Sequence, residues 1–154
     1  MKIKLFVIGK TNFDFVKIGF KEYEKRLSRF VKFEYVVIKE GKSNNSNEVK
    51  TIEAKNIIDK ITSNDYLILL DNNGKEYNSI NFANLIENKM NTSSKDIVFL
   101  IGGAYGFDDS IYLIAKEKIS LSQMTFSHQI IRLIFIEQLY RAFTIINNHP
   151  YHNE

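Results

Sequence analysis

The sequence predicts an α/β protein in which a mostly parallel sheet is flanked by helices. Short apolar segments alternate with amphipathic ones, and two of the apolar segments, Tyr66–Leu70 and Ile97–Ile101, contain no charged residue. Strands covered on both faces have this composition. Each is followed by turn residues, Asp71–Gly74 and Gly102-Gly103, which are expected to end the strand. The length of 154 residues predicts a single domain over 1–154.

Three further strands are predicted from segments rich in β-branched and aromatic residues. They are Lys2–Val7, Lys32–Ile38 and the brief Ile119–Leu121. Strands that alternate with helices are typical of a parallel sheet, because each helix returns the chain to the edge where the next strand starts.

The first two helices are predicted from apolar residues spaced three and four apart. The stripe of the first helix consists of Phe13, Val16, Phe20, Tyr23, Leu27 and Phe30. Thr11, three residues before Asp14, is expected to cap its N-terminus. The second helix is expected over Glu48–Thr62, with Ile57, Ile58 and Ile61 on its apolar side.

Three more helices complete the predicted fold. Ser79 is expected to cap a helix over Asn81–Asn91. Asp108 is expected to cap a short helix that runs through Ala115. The last helix, Gln129–Asn147, is apolar on more than one face, which is typical of a helix buried on most sides. A small single core does not surround such a helix, so we expect a homodimer interface to cover the rest. The alternative is a central core helix in a monomer.

Composition excludes several classes of site. Cysteine is absent, which excludes disulfides, thiolate metal sites and cysteine nucleophiles. The spacing of His128, His149 and His152 matches no common zinc signature, so no metal is expected. The net charge of +3 permits contact with nucleic acid without requiring it. No apolar run reaches the roughly 20 residues of a membrane span, and the apolar start is too short for a signal peptide; we expect a cytoplasmic protein.

Ligands of open parallel sheets bind beyond the carboxyl ends of the strands. Three segments are expected at that edge: Leu70–Gly74, Gly102–Gly106 and Ser122–Ser127. The glycines of the second segment either let the backbone approach a ligand closely or only form a tight turn. The third segment is long enough to wrap a small ligand.

The C-terminal part carries further candidates. Glu137 and Arg141 stand four apart in the order that favours a helical ion pair, and Arg141 is also a candidate for contact with an RNA phosphate or a reacting base. Pro150 is expected to end the helix and stiffen the tail. Tyr151 could stack on a base or donate a hydrogen bond; the alternative is an ordinary ordered terminus.

At these residues the chain resembles the ribosomal RNA large-subunit methyltransferase H family of the SPOUT superfamily. The resemblance covers essentially the whole chain. The matching segments are Val7–Lys10, Glu22–Leu27, Phe99–Gly106, Ser120–Gln129, Glu137–Ala142 and His149–His152.

This resemblance implies a C-terminal trefoil knot, a homodimer and S-adenosyl-L-methionine bound in the knot. The implied reaction is N3-methylation of pseudouridine in helix 69 of 23S rRNA on the assembled ribosome. Two other functions stay open: a non-catalytic assembly factor that binds the ribosome, and a SPOUT methyltransferase that acts on tRNA.

The resemblance also implies site residues. Those expected to bind the cofactor are Leu70, Gly103, Ser122, Gln123, Met124, Thr125, Phe126 and Ser127. Arg141, Tyr151 and His152 match the catalytic or RNA-contacting positions, with Tyr151, His152 or water accepting the proton that leaves the base. Ser127 departs from the family, which has proline there, and its loss should make the cofactor loop less rigid.

Overall fold

The computed structural model describes residues 1–153, and the centre of this fold is a five-stranded sheet in which every paired strand runs parallel. The strand order is β2-β1-β4-β3-β5. The strands are β1 Ile3–Ile8, β2 Phe33–Ile38, β3 Asp65–Glu76, β4 Asp96–Ile101 and β5 Glu117–Ser120. The predicted fold class is confirmed. Strand pairing does not define a knot, so the trefoil knot stays a prediction.

Five helices cover the two faces of this sheet. They are α1 Asp14–Leu27, α2 Ser46–Ile58, α3 Ser79–Thr92, α4 Asp109–Ile114 and α5 Ile130–Ile146. Alternate residues of a strand point to opposite faces, and this separates the core into two clusters. Ile3, Leu5 and Val7 of β1 pack with α1, α3 and α5, whereas Phe6 and Ile8 pack with α2 and α4.

The sequence predicts that Asp71–Gly74 ends the third strand, and this prediction was wrong. β3 continues to Glu76, and its pairing with β5 shifts in register between Leu70 and Lys75. The Asp71 side chain accepts the Asn73 backbone N–H at 2.8 Å, so the turn chemistry forms a bulge inside the strand. A Cβ on Gly74 would lie 2.5 Å from the Ile119 backbone, so only glycine fits this close approach.

The predicted N-cap at Thr11 was also wrong. Phe13 occupies the N-cap position of α1 without a side-chain hydrogen bond. The Thr11 hydroxyl lies 2.8 Å from the Tyr35 hydroxyl and accepts an Arg132 N–H at 3.1 Å. The Thr11 hydroxyl therefore bonds to Tyr35 on β2 and Arg132 on α5 instead of capping α1.

The remaining local predictions gave mixed results. The Asn78 side chain caps α3 in place of Ser79, and Asp108 caps α4 as expected. On α2, Ile57 is buried, whereas Ile58 is 42% exposed and does not belong to the apolar side. These errors shift helix boundaries without changing the order of elements.

Arg132 on α5 is the largest buried side chain, with 1% of its surface exposed. Its guanidinium donates to the Ile8, Gly9 and His128 carbonyls at 2.7, 3.0 and 2.9 Å. Its other partners are the Thr11 and Tyr35 hydroxyls. Within residues 1–153 no carboxylate lies within ion-pair distance of it. Neutral acceptors therefore hold a buried cation that fastens the end of β1 to the start of α5.

We predict that Arg132→Met lowers the free energy of unfolding by about 3 kcal/mol, because the buried contact to the Ile8 carbonyl and the partly buried contacts to the Gly9 and His128 carbonyls are lost. Equilibrium denaturation with urea measures this loss. Arg29→Met, at an exposed arginine, is the matched control and should change the free energy by less than about 0.5 kcal/mol. Equal losses in the two variants would contradict the structural role of Arg132.

Candidate functional site

A cleft of about 300 Å³, here called the central cleft, opens at the C-terminal edge of β3, β4 and β5. These strands are neighbours in the sheet, so the loops that follow them meet at one edge. The structure thus brings together the three segments expected there. The lining residues are Leu70, Asp71, Asn72, Asn73, Ile101, Gly102, Gly103, Gly106, Phe107, Tyr112, Leu121, Ser122, Phe126, His128 and Ile131.

Half of the residues that the resemblance assigns to the cofactor line this cleft. They are Leu70, Gly103, Ser122 and Phe126. Gln123, Met124, Thr125 and Ser127 lie on the same loop as exposed residues outside the lining. Met124 is 77% exposed, so this loop presents exposed side chains at the rim of the cleft.

Serine hydroxyls shape this loop. Ser120 Oγ donates to the Ser122 carbonyl at 2.9 Å, and Ser122 Oγ accepts the Met124 N–H at 2.9 Å. Ser127 Oγ accepts the Ile130 N–H at 3.1 Å. Ser127, at the position where the resemblance leads us to expect proline, therefore satisfies a free amide at the start of α5, which proline cannot do.

The glycine segment forms a tight turn in the wall of the cleft. Gly106 adopts a φ of 79° and donates its N–H to the Gly103 carbonyl at 3.2 Å. A Cβ on Gly103 would lie 2.9 Å from Glu53 Oε2. Glu53 is buried, and burial raises the pKa of this carboxyl. The segment is a turn held by close packing, and its bare backbone faces the cleft.

Asp71 is the one carboxylate among the residues that line the central cleft. Its Oδ2 accepts the Tyr112 hydroxyl at 2.5 Å. Burial and the neighbouring Asp71 carboxylate raise the pKa of Tyr112 to about 12. The contact joins β3 to α4 across the cleft. No pattern in the sequence indicates Tyr112, because nothing local relates it to Asp71.

The expected catalytic residues gather around Glu137 on α5. Its Oε1 accepts from Arg141 and, at 3.0 Å, from the Tyr151 hydroxyl. The predicted ion pair between Glu137 and Arg141 is confirmed. Arg141 Nη1 lies 3.2 Å from His152 Nδ1, and the guanidinium carbon lies 4.9 Å from the centre of the Tyr151 ring. The Tyr23 hydroxyl lies 3.1 Å from that of Tyr151.

The tail is placed by specific contacts. Asn148 has a φ of 54°, and the His149 N–H donates to the Thr144 carbonyl at 2.8 Å. These bonds turn the chain back along α5, so that the Tyr151 ring packs edge-on against Tyr140 at 4.8 Å. Burial and hydrogen bonds with Tyr23 and Glu137 raise the pKa of Tyr151. The phenol therefore holds its proton to a higher pH than an ordinary tyrosine does.

Within one chain, the structure does not bring this cluster to the central cleft. Ile131 is the α5 residue that lines the cleft, and Arg141 follows it by ten positions on the same helix. At 1.5 Å per residue the two lie about 15 Å apart along the helix. Arg141 also has a buried Nε that makes no hydrogen bond within the described chain.

Within residues 1–153, no three His, Asp or Glu side chains lie together as a metal site requires. No helix in this range is both long and apolar enough to cross a bilayer.

Comparison with known proteins gives a match over nearly the whole chain. Residues 1–152 match a family model described as "Predicted SPOUT methyltransferase". Curated relatives named "Ribosomal RNA large subunit methyltransferase H" include proteins of Parabacteroides distasonis and Flavobacterium psychrophilum, 50% and 49% identical with full coverage of both chains. The relative of that name from Christiangramia forsetii is 46% identical over 99% of each chain.

We predict that the free energy of unfolding falls as the pH rises from about 10 to about 12, in part because of Tyr112. The unfolded chain releases this proton near its ordinary pKa of 10, whereas the folded protein holds it up to about 12. The stabilisation is therefore complete below pH 10 and is lost above 12. Denaturation at several pH values should show a shallower fall in Tyr112→Phe. The exposed Tyr105→Phe serves as the control, and parallel curves for all three proteins would contradict the prediction.

Proposed function

The chain belongs to the SPOUT methyltransferase family, and we propose that it methylates N3 of a pseudouridine in helix 69 of 23S rRNA on the assembled ribosome, with S-adenosyl-L-methionine as the methyl donor. The observation that carries the proposal is the central cleft, which lies where the resemblance puts the cofactor. The shared name of the curated relatives supports ribosomal RNA as the substrate. A ribosomal substrate implies a cytoplasmic location.

The central cleft fits the donor in size and lining. Its volume of about 300 Å³ lies at the lower end of small-molecule sites. Leu70, Leu121 and Phe126 offer apolar contact, and the Gly103 backbone lies in the same lining. The Ser122–Ser127 loop has the exposure and length to close over the ligand.

The cofactor supplies an electrophilic methyl group, so the chain must orient the base and manage the proton on its ring nitrogen. That nitrogen loses its proton to His152 or to water, and Arg141 provides a cation that stabilises the anion so formed. The Tyr151 hydroxyl donates to Glu137, which also accepts from Arg141. We therefore assign Tyr151 and Glu137 a positioning role that fixes the Arg141 guanidinium.

A homodimer resolves the distance between the cluster and the cleft. A two-fold axis across the middle of α5 sets the C-terminal half of one copy against the N-terminal half of the other. Arg141 of one subunit then approaches the central cleft of its partner. Apolar side chains on this face of α5 support the contact, since Ile130 is 37% exposed and Ile134 and Ile145 are partly exposed.

We predict that the protein methylates ribosomes that lack the modification, and that Arg141→Gln lowers this rate by about 100-fold. The Kd for the donor should stay within about twofold of the wild type, because Arg141 lies outside the cleft lining. Calorimetry measures the Kd, and mapping of the methylated nucleotide identifies the product. Arg29→Gln, at an exposed arginine, is the matched control.

Each contrary result has a distinct meaning. If the protein binds the donor and methylates tRNA but not the ribosome, the substrate is tRNA instead of ribosomal RNA. Failure to bind the donor would favour the non-catalytic assembly factor.

We predict that two inactive variants restore activity when they form mixed dimers. Arg141→Gln removes the cluster, and Ser122→Tyr fills the central cleft, which Ser122 lines. A mixed dimer holds one site with both defects and one intact site, so random pairing should return about a quarter of wild-type activity. The measurement is methyl transfer after the variants are unfolded and refolded together. Absence of any recovery would show that each chain uses its own cluster.

A further inference from the structure

A second cleft, which we call the lysine cleft, lies at the same edge of the sheet beyond β1 and β2. It has a volume of about 540 Å³, and its lining includes Gly9, Lys10, Lys39, Lys42 and His128. None of the catalytic or cofactor residues expected from the sequence belongs to it. Its positive charge, its fixed floor and its position beside the central cleft together indicate that it binds a ligand.

The walls of the lysine cleft are positively charged. Lys10, Lys39 and Lys42 are all exposed, and none of them forms an ion pair within residues 1–153. Glu40 is the one carboxylate of the lining. Three ammonium groups against one carboxylate favour an anionic ligand.

Buried polar side chains hold the floor of this cleft in place. Gln129, 5% exposed, accepts the Asn12 N–H at 2.7 Å and donates to the Lys10 carbonyl at 3.1 Å. Arg132 donates to the carbonyls of Ile8 and Gly9, which both line the cleft. The backbone that carries Lys10 is therefore fixed, and a buried cation that has only neutral acceptors in the described chain lies beneath it.

The lysine cleft adjoins the central cleft. His128 lines both, and so an extended ligand can occupy the two clefts at once. If the reacting base reaches the central cleft, the strand that carries it must leave along one side. The neighbouring surface with the required positive charge is the lysine cleft.

We propose that the lysine cleft binds the phosphodiester backbone of the RNA strand beside the methylated nucleotide. The proposal rests on the proposed function, because it takes RNA as the substrate. Lysines are suited to this contact, since each acts as a point charge that follows a phosphate without fixed geometry. The bases of the strand remain free, so the cleft contributes affinity and position rather than sequence recognition.

The test is a triple variant in which Lys10, Lys39 and Lys42 are replaced by glutamine. We expect its affinity for ribosomes that lack the modification to fall at least about tenfold near physiological salt, because three phosphate contacts are lost. The slope of log K against log salt concentration should decrease by about 2. The Kd for S-adenosyl-L-methionine should not change. A control triple variant, with Lys55, Lys60 and Lys95 replaced by glutamine, changes the net charge equally at exposed lysines outside the cleft.

The outcomes separate this inference from the proposed function. If the wild type methylates ribosomes but the two triple variants have equal ribosome affinities and salt slopes, the lysine cleft does not bind RNA and the proposed function still stands. A wild type that binds the donor but neither binds nor methylates ribosomes would overturn both. Competition with a helix 69 hairpin tests the ligand class, and polyglutamate that competes as well as the hairpin would overturn the assignment to RNA.

Discussion

Both clefts depend on the hydrogen bonds that the Arg132 guanidinium donates. It is buried without a carboxylate partner in the described chain, and backbone carbonyls and hydroxyls compensate its charge. Its acceptors come from the end of β1 and from His128, which lines both clefts. An apolar side chain would leave these carbonyls without donors. Keeping the shape of this edge therefore requires a side chain that donates several hydrogen bonds, and five of them offset the cost of burying the charge.

The separation between the central cleft and the Glu137 cluster is a second constraint, and it concerns assembly. A helix is rigid, so the roughly 15 Å between Ile131 and Arg141 cannot close within one subunit. The face of α5 that carries Glu137 and Arg141 is partly exposed and includes apolar residues such as Ile134 and Ile145. Such a mixed face suits contact with a second copy, in which the two-fold axis exchanges near and far ends of the helix.

How far the sequence predicts this structure depends on how local each signal is. The strands at Tyr66–Leu70 and Ile97–Ile101 were predictable because coverage on both faces leaves a continuous apolar run. Asp71–Gly74 was misread because turn residues form a bulge as readily as a strand end, and the choice depends on β5, far along the chain. The partnership of Asp71 with Tyr112 has no local signature. Lys10 and Lys39 also have no local signature of a shared site, because it is the pairing of β1 with β2 that brings them to one cleft.

The two clefts differ in electrostatic character, and this difference suits the reaction we propose. The central cleft contains the Asp71 carboxylate and no lysine or arginine, whereas the lysine cleft holds three ammonium groups. A positively charged methyl donor is therefore favoured in the first, and a polyanionic strand in the second. In the proposed reaction the carboxylate also disfavours phosphates, so we expect the base rather than the backbone of the strand to enter the central cleft. Charge thus favours a different reactant in each cleft, and His128 lies at the boundary between them.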